Sequence, residues 1–241
     1  MSDIFQIAGV GMQEGKQRLE AISLNAASAS LPGYRRHVVA GGTFDTMLAA
    51  TSTATAASTP TAVPHLVDLK PGATIATGRA LDLAIEGDDL FFALTDGVQT
   101  WLTRGGSFHV NEAGELLGEG GLRVVGQGGE VRLPGSDVEV GPDGHITQQG
   151  VIVGAVQLFR ANDPSSLQAA QGALLLAPEG VQPAEAGAGR VRSGALEASN
   201  TDSASEMLGL VALSRQFEAL SHVLQGYDQM LGRAIEKLGE G

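Results

Sequence analysis

Residues 200–238 read NTDSASEMLGLVALSRQFEALSHVLQGYDQMLGRAIEKL, and this stretch predicts one long helix. Apolar residues recur along it at steps of three or four, which is typical of a helix that packs along a heptad seam. These residues are Met207, Leu210, Leu213, Phe217, Leu220, Leu224, Tyr227, Leu231, Ala234 and Leu238. Asp202 or Ser203 can cap the amino-terminal end, and Gly239 ends the helix. We predict a helix of about 35 residues, roughly 50 Å long at ~1.5 Å per residue.

A second and weaker helical stripe lies near the amino terminus. Its positions are Ile4, Ala8, Gly11, Gly15, Leu19, Ile22 and Ala26. Each Gly inside a helix costs about 1 kcal/mol relative to Ala, so this short helix should not be stable alone. The C-terminal stretch has apolar surface to spare, which fits either an assembling subunit or a helix packed on its own domain. We therefore predict that the two terminal helices pair.

Between the helices, the apolar residues change to a period of two from about residue 80. Leu81, Leu83 and Ile85 begin the pattern, and further short apolar runs follow as far as residue 159. Gly-rich turn signals separate these runs, and Asp96-Gly97 and Asp143-Gly144 are the better hairpin signals. The pattern predicts an antiparallel β domain. Residues 160–199, rich in Ala, Gly and Pro, are predicted as loops, and the Ala/Thr/Ser tract at 49–64 as a linker.

The predicted fold class is α+β, with paired N- and C-terminal helices forming a coiled-coil-like helical domain and an inserted all-β antiparallel domain. Residues 1–40 with residues 196–241 form the predicted helical domain, residues 41–78 an extended linker or arm, and residues 79–195 the β domain. The helical seam is the predicted assembly interface. Its members are Ile4, Ala8, Gly11, Gly15, Leu19, Ile22, Met207, Leu210, Leu213, Phe217, Leu220, Leu224, Tyr227, Leu231 and Leu238.

The composition limits the classes of partner. The formal net charge is −12, which argues against nucleic acid or an anionic membrane surface. There is no Cys, so disulfides and thiolate chemistry are excluded.

The amino-terminal residues carry Asp3 where a secretory signal has basic residues. The longest apolar run, at 151–159, is far shorter than the ~20 residues that span a bilayer. We expect no transmembrane segment and no classical signal peptide.

Motifs of known chemistry are missing from the sequence. It contains neither a P-loop nor a His-Glu-x-x-His pattern. His109 and His145 could meet a carboxylate across strands, but lone surface histidines are the favoured interpretation. Asp88-Asp89 could bind Ca²⁺ or act as an acid/base pair, yet their position beside Gly87 favours a tight turn. We therefore predict no catalytic, cofactor-binding or metal-binding residues, and no enzyme.

Three stretches, taken together, resemble one known family. They read NAASASLPGYRR at 25–36, TGRALDLAIEGD at 77–88 with TRGGSF at 103–108, and GALEASNTD at 194–202. In this order they are similar to the flagellar basal-body rod and hook proteins of bacteria. The first stretch departs from the family in having Ala and Ser where Asn usually repeats, and Asp89 stands where Gly is usual. Residues 213–218 (LSRQFE) and the single β domain look most like the proximal-rod members.

The resemblance implies a structural subunit and an architecture. The terminal helices would lie in an inner tube and the β domain outside, and subunits would stack helically, with themselves and with other rod and hook proteins, into a hollow shaft that transmits torque across the periplasm. It also implies export by the flagellar type III apparatus without a cleaved signal. The alternatives are a distal-rod member, a secreted module binding cell-wall glycan through the Trp101 and Phe108 strands, and a hydrolase using Asp82, Asp88 or Asp89.

Overall fold

The computed structural model describes residues 2–39, 65–135, 137–185 and 187–239. The tract at 49–64 that was predicted as a linker lies outside the described residues. Contacts divide the chain into two units. The helical unit comprises Met1–Leu24, Val39–Pro64 and Ser203–Gly241, and the β unit comprises Asn25–Val38 and His65–Asp202. The boundaries predicted at residues 40, 78 and 196 stay predictions.

The described residues contain two α-helices, α1 (Ser2–Ser28) and α2 (Ser203–Gly239), close to the predicted bounds. The described residues between them contain nineteen strands. They are β1 (His37–Val39), β2 (His65–Val67), β3 (Thr74–Ala76), β4 (Leu83–Glu86), β5 (Phe91–Thr95), β6 (Thr100–Thr103), β7 (His109–Val110), β8 (Leu116–Leu117), β9 (Arg123–Gly126), β10 (Gly129–Glu130), β11 (Glu139–Val140), β12 (His145–Gln148), β13 (Val151–Ala155), β14 (Leu158–Ala161), β15 (Gln168–Ala169), β16 (Leu174–Leu176), β17 (Val181–Pro183), β18 (Arg190–Ser193) and β19 (Ala195–Glu197).

The largest sheet has ten strands, and every strand pair with a described register is antiparallel. Its path runs β15-β16-β6-β5-β9-β8-β7, with β10 paired to β9, β14 to β5, and β17 to β14. A separate sheet has the order β11-β12-β13, and β1 pairs with β2. Two further pairs join distant parts of the sequence, since β18 lies against β4 and β19 against β3. The predicted antiparallel β domain is therefore present.

Strand β5 is buried on both faces, which explains why its sequence is a continuous apolar run. Phe92 and Leu94 belong to one core cluster, whereas Phe91 and Ala93 belong to another. Because successive side chains of a strand point to opposite faces, the run FFAL serves both clusters. Phe108 packs edge-on against Phe92, with ring centroids 5.1 Å apart. The core of the β unit is built around this strand.

The turn predictions are confirmed, but the prediction of loops after residue 160 is wrong. Asp96-Gly97 lies in the β5–β6 hairpin and Asp143-Gly144 in the β11–β12 hairpin. Between residues 160 and 199, however, the structure has the end of β14 and strands β15–β19. These strands are only two to four residues long and carry little period-two signal. Three of them, β16, β18 and β19, pair with β6, β4 and β3, which lie more than 70 residues earlier, and a local pattern cannot indicate such partners.

The predicted fold class is also wrong in its helical part. The described chain is mostly antiparallel sheet with two helices, and these helices do not form a paired coiled-coil domain. A coiled coil buries its seam residues, yet Met207 is 66% exposed and Leu210 is 42% exposed. Leu213 is the buried hydrophobic residue among the described side chains of α2. The physical reason lies in α1, whose Gly positions offer no side chains to interlock with a long apolar stripe.

Candidate functional site

Part of the predicted seam does bring α1 and α2 into close contact within the helical unit. A Cβ built on Gly15 would lie 2.7 Å from Cζ of Phe217, so the missing side chain admits the aromatic ring. A Cβ on Gly11 would lie 3.9 Å from Cδ1 of Leu220. Gly11 and Gly15 of α1 therefore let Leu220 and Phe217 of α2 come close to α1 at these two points. The contact does not continue along the whole predicted seam.

The other predicted seam residues differ in exposure. Leu213 is buried, Ile22, Phe217 and Leu220 are half-buried, and Leu19 is 39% exposed. The side chains of six predicted seam residues lie outside the described part of the structure. They are Ile4, Ala8, Leu224, Tyr227, Leu231 and Leu238. The assembly interface stays a prediction.

Helix α2 carries large apolar side chains that its own unit leaves exposed. Their exposed fractions range from 42% to 72%, and the residues are Met207, Leu208, Leu210, Val211, Val223 and Met230. Single exposed apolar residues are ordinary on protein surfaces, but a series of them along one element indicates an interaction site. The helix is therefore the candidate assembly surface.

The β unit contains a buried ion-pair cluster that the sequence did not reveal. Glu197 lies between two guanidinium groups, and all three side chains are only 3% exposed. Nη2 of Arg35 is 2.8 Å from Oε1 of Glu197, and Nη2 of Arg104 is 2.7 Å from Oε2. Burial lowers the pKa of Arg35, an effect that Glu197 opposes and the neighbouring Arg104 charge reinforces. We call Arg35, Arg104 and Glu197 the Glu197 cluster.

Most remaining polar groups of the Glu197 cluster also have partners. Arg104 donates from Nη1 to the carbonyl oxygens of Leu90, at 2.7 Å, and Gly87, at 3.0 Å. Arg35 donates to the carbonyl oxygen of Lys70. Oε1 of Glu197 accepts a hydrogen bond of 3.1 Å from the backbone N–H of Gly72. Because unpaired buried charges are costly, these contacts offset the cost of burying the three charged side chains.

A second set of bonds attaches residues 33–37 to the same region. The N–H of Gly33 donates to the carbonyl of Glu197 at 2.7 Å, and the N–H of Arg36 donates to Oδ1 of Asn200 at 2.7 Å. The side chain of Asn25 bonds both backbone groups of His37, accepting from N–H at 2.8 Å and donating to the carbonyl at 2.9 Å. All three stretches that carry the family resemblance thus contribute to one buried network.

The acidic residues considered for hydrolysis have structural contacts instead. Asp82 is 1% exposed, and its Oδ2 accepts a 2.8 Å bond from Nε of Arg79. Asp88 and Asp89 form the turn between β4 and β5, as predicted, with Asp89 at a φ of 54°. That left-handed conformation favours Gly and tolerates Asp.

Neither considered histidine meets a carboxylate across strands among the described contacts. His145 lies 2.7 Å, measured from Nδ1, from the carboxylate of Asp143 in the adjoining turn. Trp101 and Phe108 do not form an exposed aromatic surface for binding glycan. Phe108 is 4% exposed and belongs to the core, and Trp101 packs against the same cluster. These residues stabilise the β unit.

Asp82→Asn tests whether this carboxylate stabilises the fold. Burial acts to raise the pKa of Asp82, but hydrogen bonds from Arg79, Thr77 and Ser107 outweigh it, so the pKa is lowered. A depressed carboxyl pKa adds stability that is present above the unfolded-state value of about 3.9 and is lost as pH falls through the folded-state pKa. We expect Asp82→Asn to lower the urea midpoint at pH 7, and the difference from wild type to shrink below about pH 4. A constant difference across that range would contradict this assignment.

Within the described ranges, no group of three or more His, Asp and Glu side chains has the arrangement of a metal site. Nor does either helix, over its described residues, have the length and hydropathy to cross a membrane.

Known proteins match the chain across nearly its whole length. The family model described as flagellar basal body rod FlgEFG protein C-terminal matches residues 192–237. The flagellar basal-body rod protein FlgF of Salmonella typhimurium is 32% identical over 260 residues, covering 98% of this chain and 97% of that protein. This chain belongs to the flagellar basal-body rod protein family. FlgF of Rhizobium meliloti is 31% identical, with 93% and 92% covered, and the rod protein FlgG of Bacillus subtilis is 28% identical, with 93% and 95% covered.

The family prediction made from three short stretches is therefore confirmed. The family model matches residues 192–237, and this region contains Glu197 and Asn200 of the buried network and most of α2. Sequence reasoning found these stretches by resemblance but did not identify their charged residues as partners. One feature of the sequence could have indicated the cluster: Arg35, Arg104 and Glu197 each lie inside a stretch that resembles the rod and hook proteins.

Proposed function

We propose that this chain is a structural subunit of the proximal part of the bacterial flagellar rod. Full-length similarity to two rod proteins called FlgF, at 32% and 31% identity, is the observation that carries the proposal. The similarity to a FlgG protein is lower, at 28%. This favours the proximal-rod assignment over a distal-rod one.

Helical stacking with copies of itself and with other rod proteins is the proposed mode of assembly. The exposed apolar residues of α2 support it, since a series of them along one helix needs a cover. Head-to-tail contacts of this kind propagate an open helical assembly. In this proposal the predicted seam residues that are not buried within their own unit lie at contacts between subunits, and torque passes through those contacts.

The proposed role is mechanical and requires no catalysis. Two side chains of the alternative roles support this interpretation, because Asp82 is buried and paired with Arg79, and Phe108 is in the core. A hydrolase would need a free acid, and a glycan-binding module would need exposed aromatic rings. The rod subunit needs neither.

The proposed location is the periplasmic rod of the basal body, reached through the flagellar type III export apparatus without cleavage of a signal. The family membership supports the basal body as the site.

Electron microscopy of basal bodies from a deletion strain tests the function. We expect the deletion to remove a complete rod and to abolish motility, and the wild-type gene supplied in trans to restore both. A strain with rods of ordinary appearance but reduced glycan binding or turnover would refute the structural role.

A further inference from the structure

The Glu197 cluster contains two positive charges and one negative charge, and the negative charge comes last in the chain. Arg35 and Arg104 both precede Glu197, which follows Arg104 by 93 residues. A chain that emerges amino-terminus first therefore presents both guanidinium groups long before their shared carboxylate. Asp68 also attracts Arg35, but more weakly than Glu197 does.

Burial of the two cations without Glu197 would be costly for two reasons. Each guanidinium would lose its hydration, and the charge of Arg104 acts against that of Arg35. The same part of the chain also completes the sheets. Strands β18 and β19 supply the partners of β4 and β3, so those earlier strands lack them until residues 190–197 arrive.

We propose that Glu197 controls when the β unit closes. Arg35 and Arg104 stay in water, and the region around β3 and β4 stays open, until residues 190–200 have emerged. The β unit therefore folds only after almost all of its sequence is available. The benefit of this delay for export of an unfolded chain rests on the proposed function; the delay itself does not.

Refolding and unfolding kinetics of the full chain test this proposal. Trp101 is the single Trp and packs against the core of the β unit, so its fluorescence reports that unit. Removing one partner of a buried ion pair typically costs 3–5 kcal/mol, which corresponds to roughly 10²-fold or more in rate when the contact is present in the transition state. We expect Glu197→Gln to slow refolding by about that factor and to change the unfolding rate only a few-fold.

Glu130→Gln is the matched control, because Glu130 pairs with Arg123 at 3.0 Å and both side chains are 30% exposed. We expect it to change neither rate appreciably. If Glu197→Gln refolds at the wild-type rate and only unfolds faster, the ion pairs form after closure and the proposal is overturned.

A second variant covers the case in which Glu197→Gln does not fold. Arg35→Met combined with Glu197→Gln leaves one unpaired cation instead of two. We expect the double variant to recover part of the native Trp101 emission that the single variant loses. A double variant no better than Glu197→Gln alone would overturn the proposal, whatever the deletion strain shows about the rod.

Discussion

Gly33→Ala is expected to destabilise the β unit strongly, and by more than the same change at Gly78. Gly33 has a φ of +70°, a conformation that costs an L-residue about 1 kcal/mol or more. A Cβ there would overlap backbone atoms of Arg104 and Gly105, which cannot move aside as a flexible side chain could. Overpacking of this kind costs about 1–3 kcal/mol. We expect a total loss on the order of 3 kcal/mol in urea denaturation followed by Trp101 fluorescence.

Gly78→Ala separates the two contributions. Gly78 also has a positive φ, of 76°, but a Cβ there would have no heavy atom within 4 Å. This control should therefore show the backbone penalty alone, about 1 kcal/mol. Equal losses for the two variants would mean that residues 32–34 shift away from Arg104 without cost, and the close approach would then have no energetic role.

The sequence predicted those features of the β unit that depend on neighbouring residues. The apolar run at β5 and the turns at Asp96-Gly97 and Asp143-Gly144 have local signals, because strand pleating and turn geometry are set within a few residues. The same reasoning predicted α2 to within a few residues of its observed bounds. Local periodicity was enough for these elements.

Features formed by residues far apart in the sequence could not be predicted in this way. Glu197 lies on β19, and nothing in the residues beside it indicates its contacts with Arg35 and Arg104 or the pairing of β19 with β3. The resemblance to known rod proteins marked the stretches but not their contacts. The coiled-coil prediction failed for a related reason. A heptad-like spacing shows which side chains share a face, but it does not show what covers that face, and Met207 remains 66% exposed.

Leu220→Asp is expected to abolish rod assembly while leaving the β unit folded. Leu220 is half-buried on α2, near Gly11, and lies one step along the predicted seam from Phe217. Losing the burial of a Leu side chain costs about 1.5–3 kcal/mol, and an unpaired carboxylate in an apolar contact adds to this. If the seam lies between subunits, that penalty recurs at every subunit contact. We expect secreted, soluble protein with native Trp101 emission, no complete rod in electron micrographs and no motility.

Glu218→Ala is the matched control, since Glu218 is two residues away on α2 and exposed. Its side chain has no apolar contact to lose, so we expect rods and swimming close to wild type. Leu220→Asp also lowers helix propensity, by less than about 1 kcal/mol, which is smaller than the burial loss, whereas Glu218→Ala does not lower it. A Leu220→Asp strain that swims normally, with basal bodies of ordinary appearance, would show that this part of α2 is not a contact between subunits, and the proposed seam would have to be abandoned.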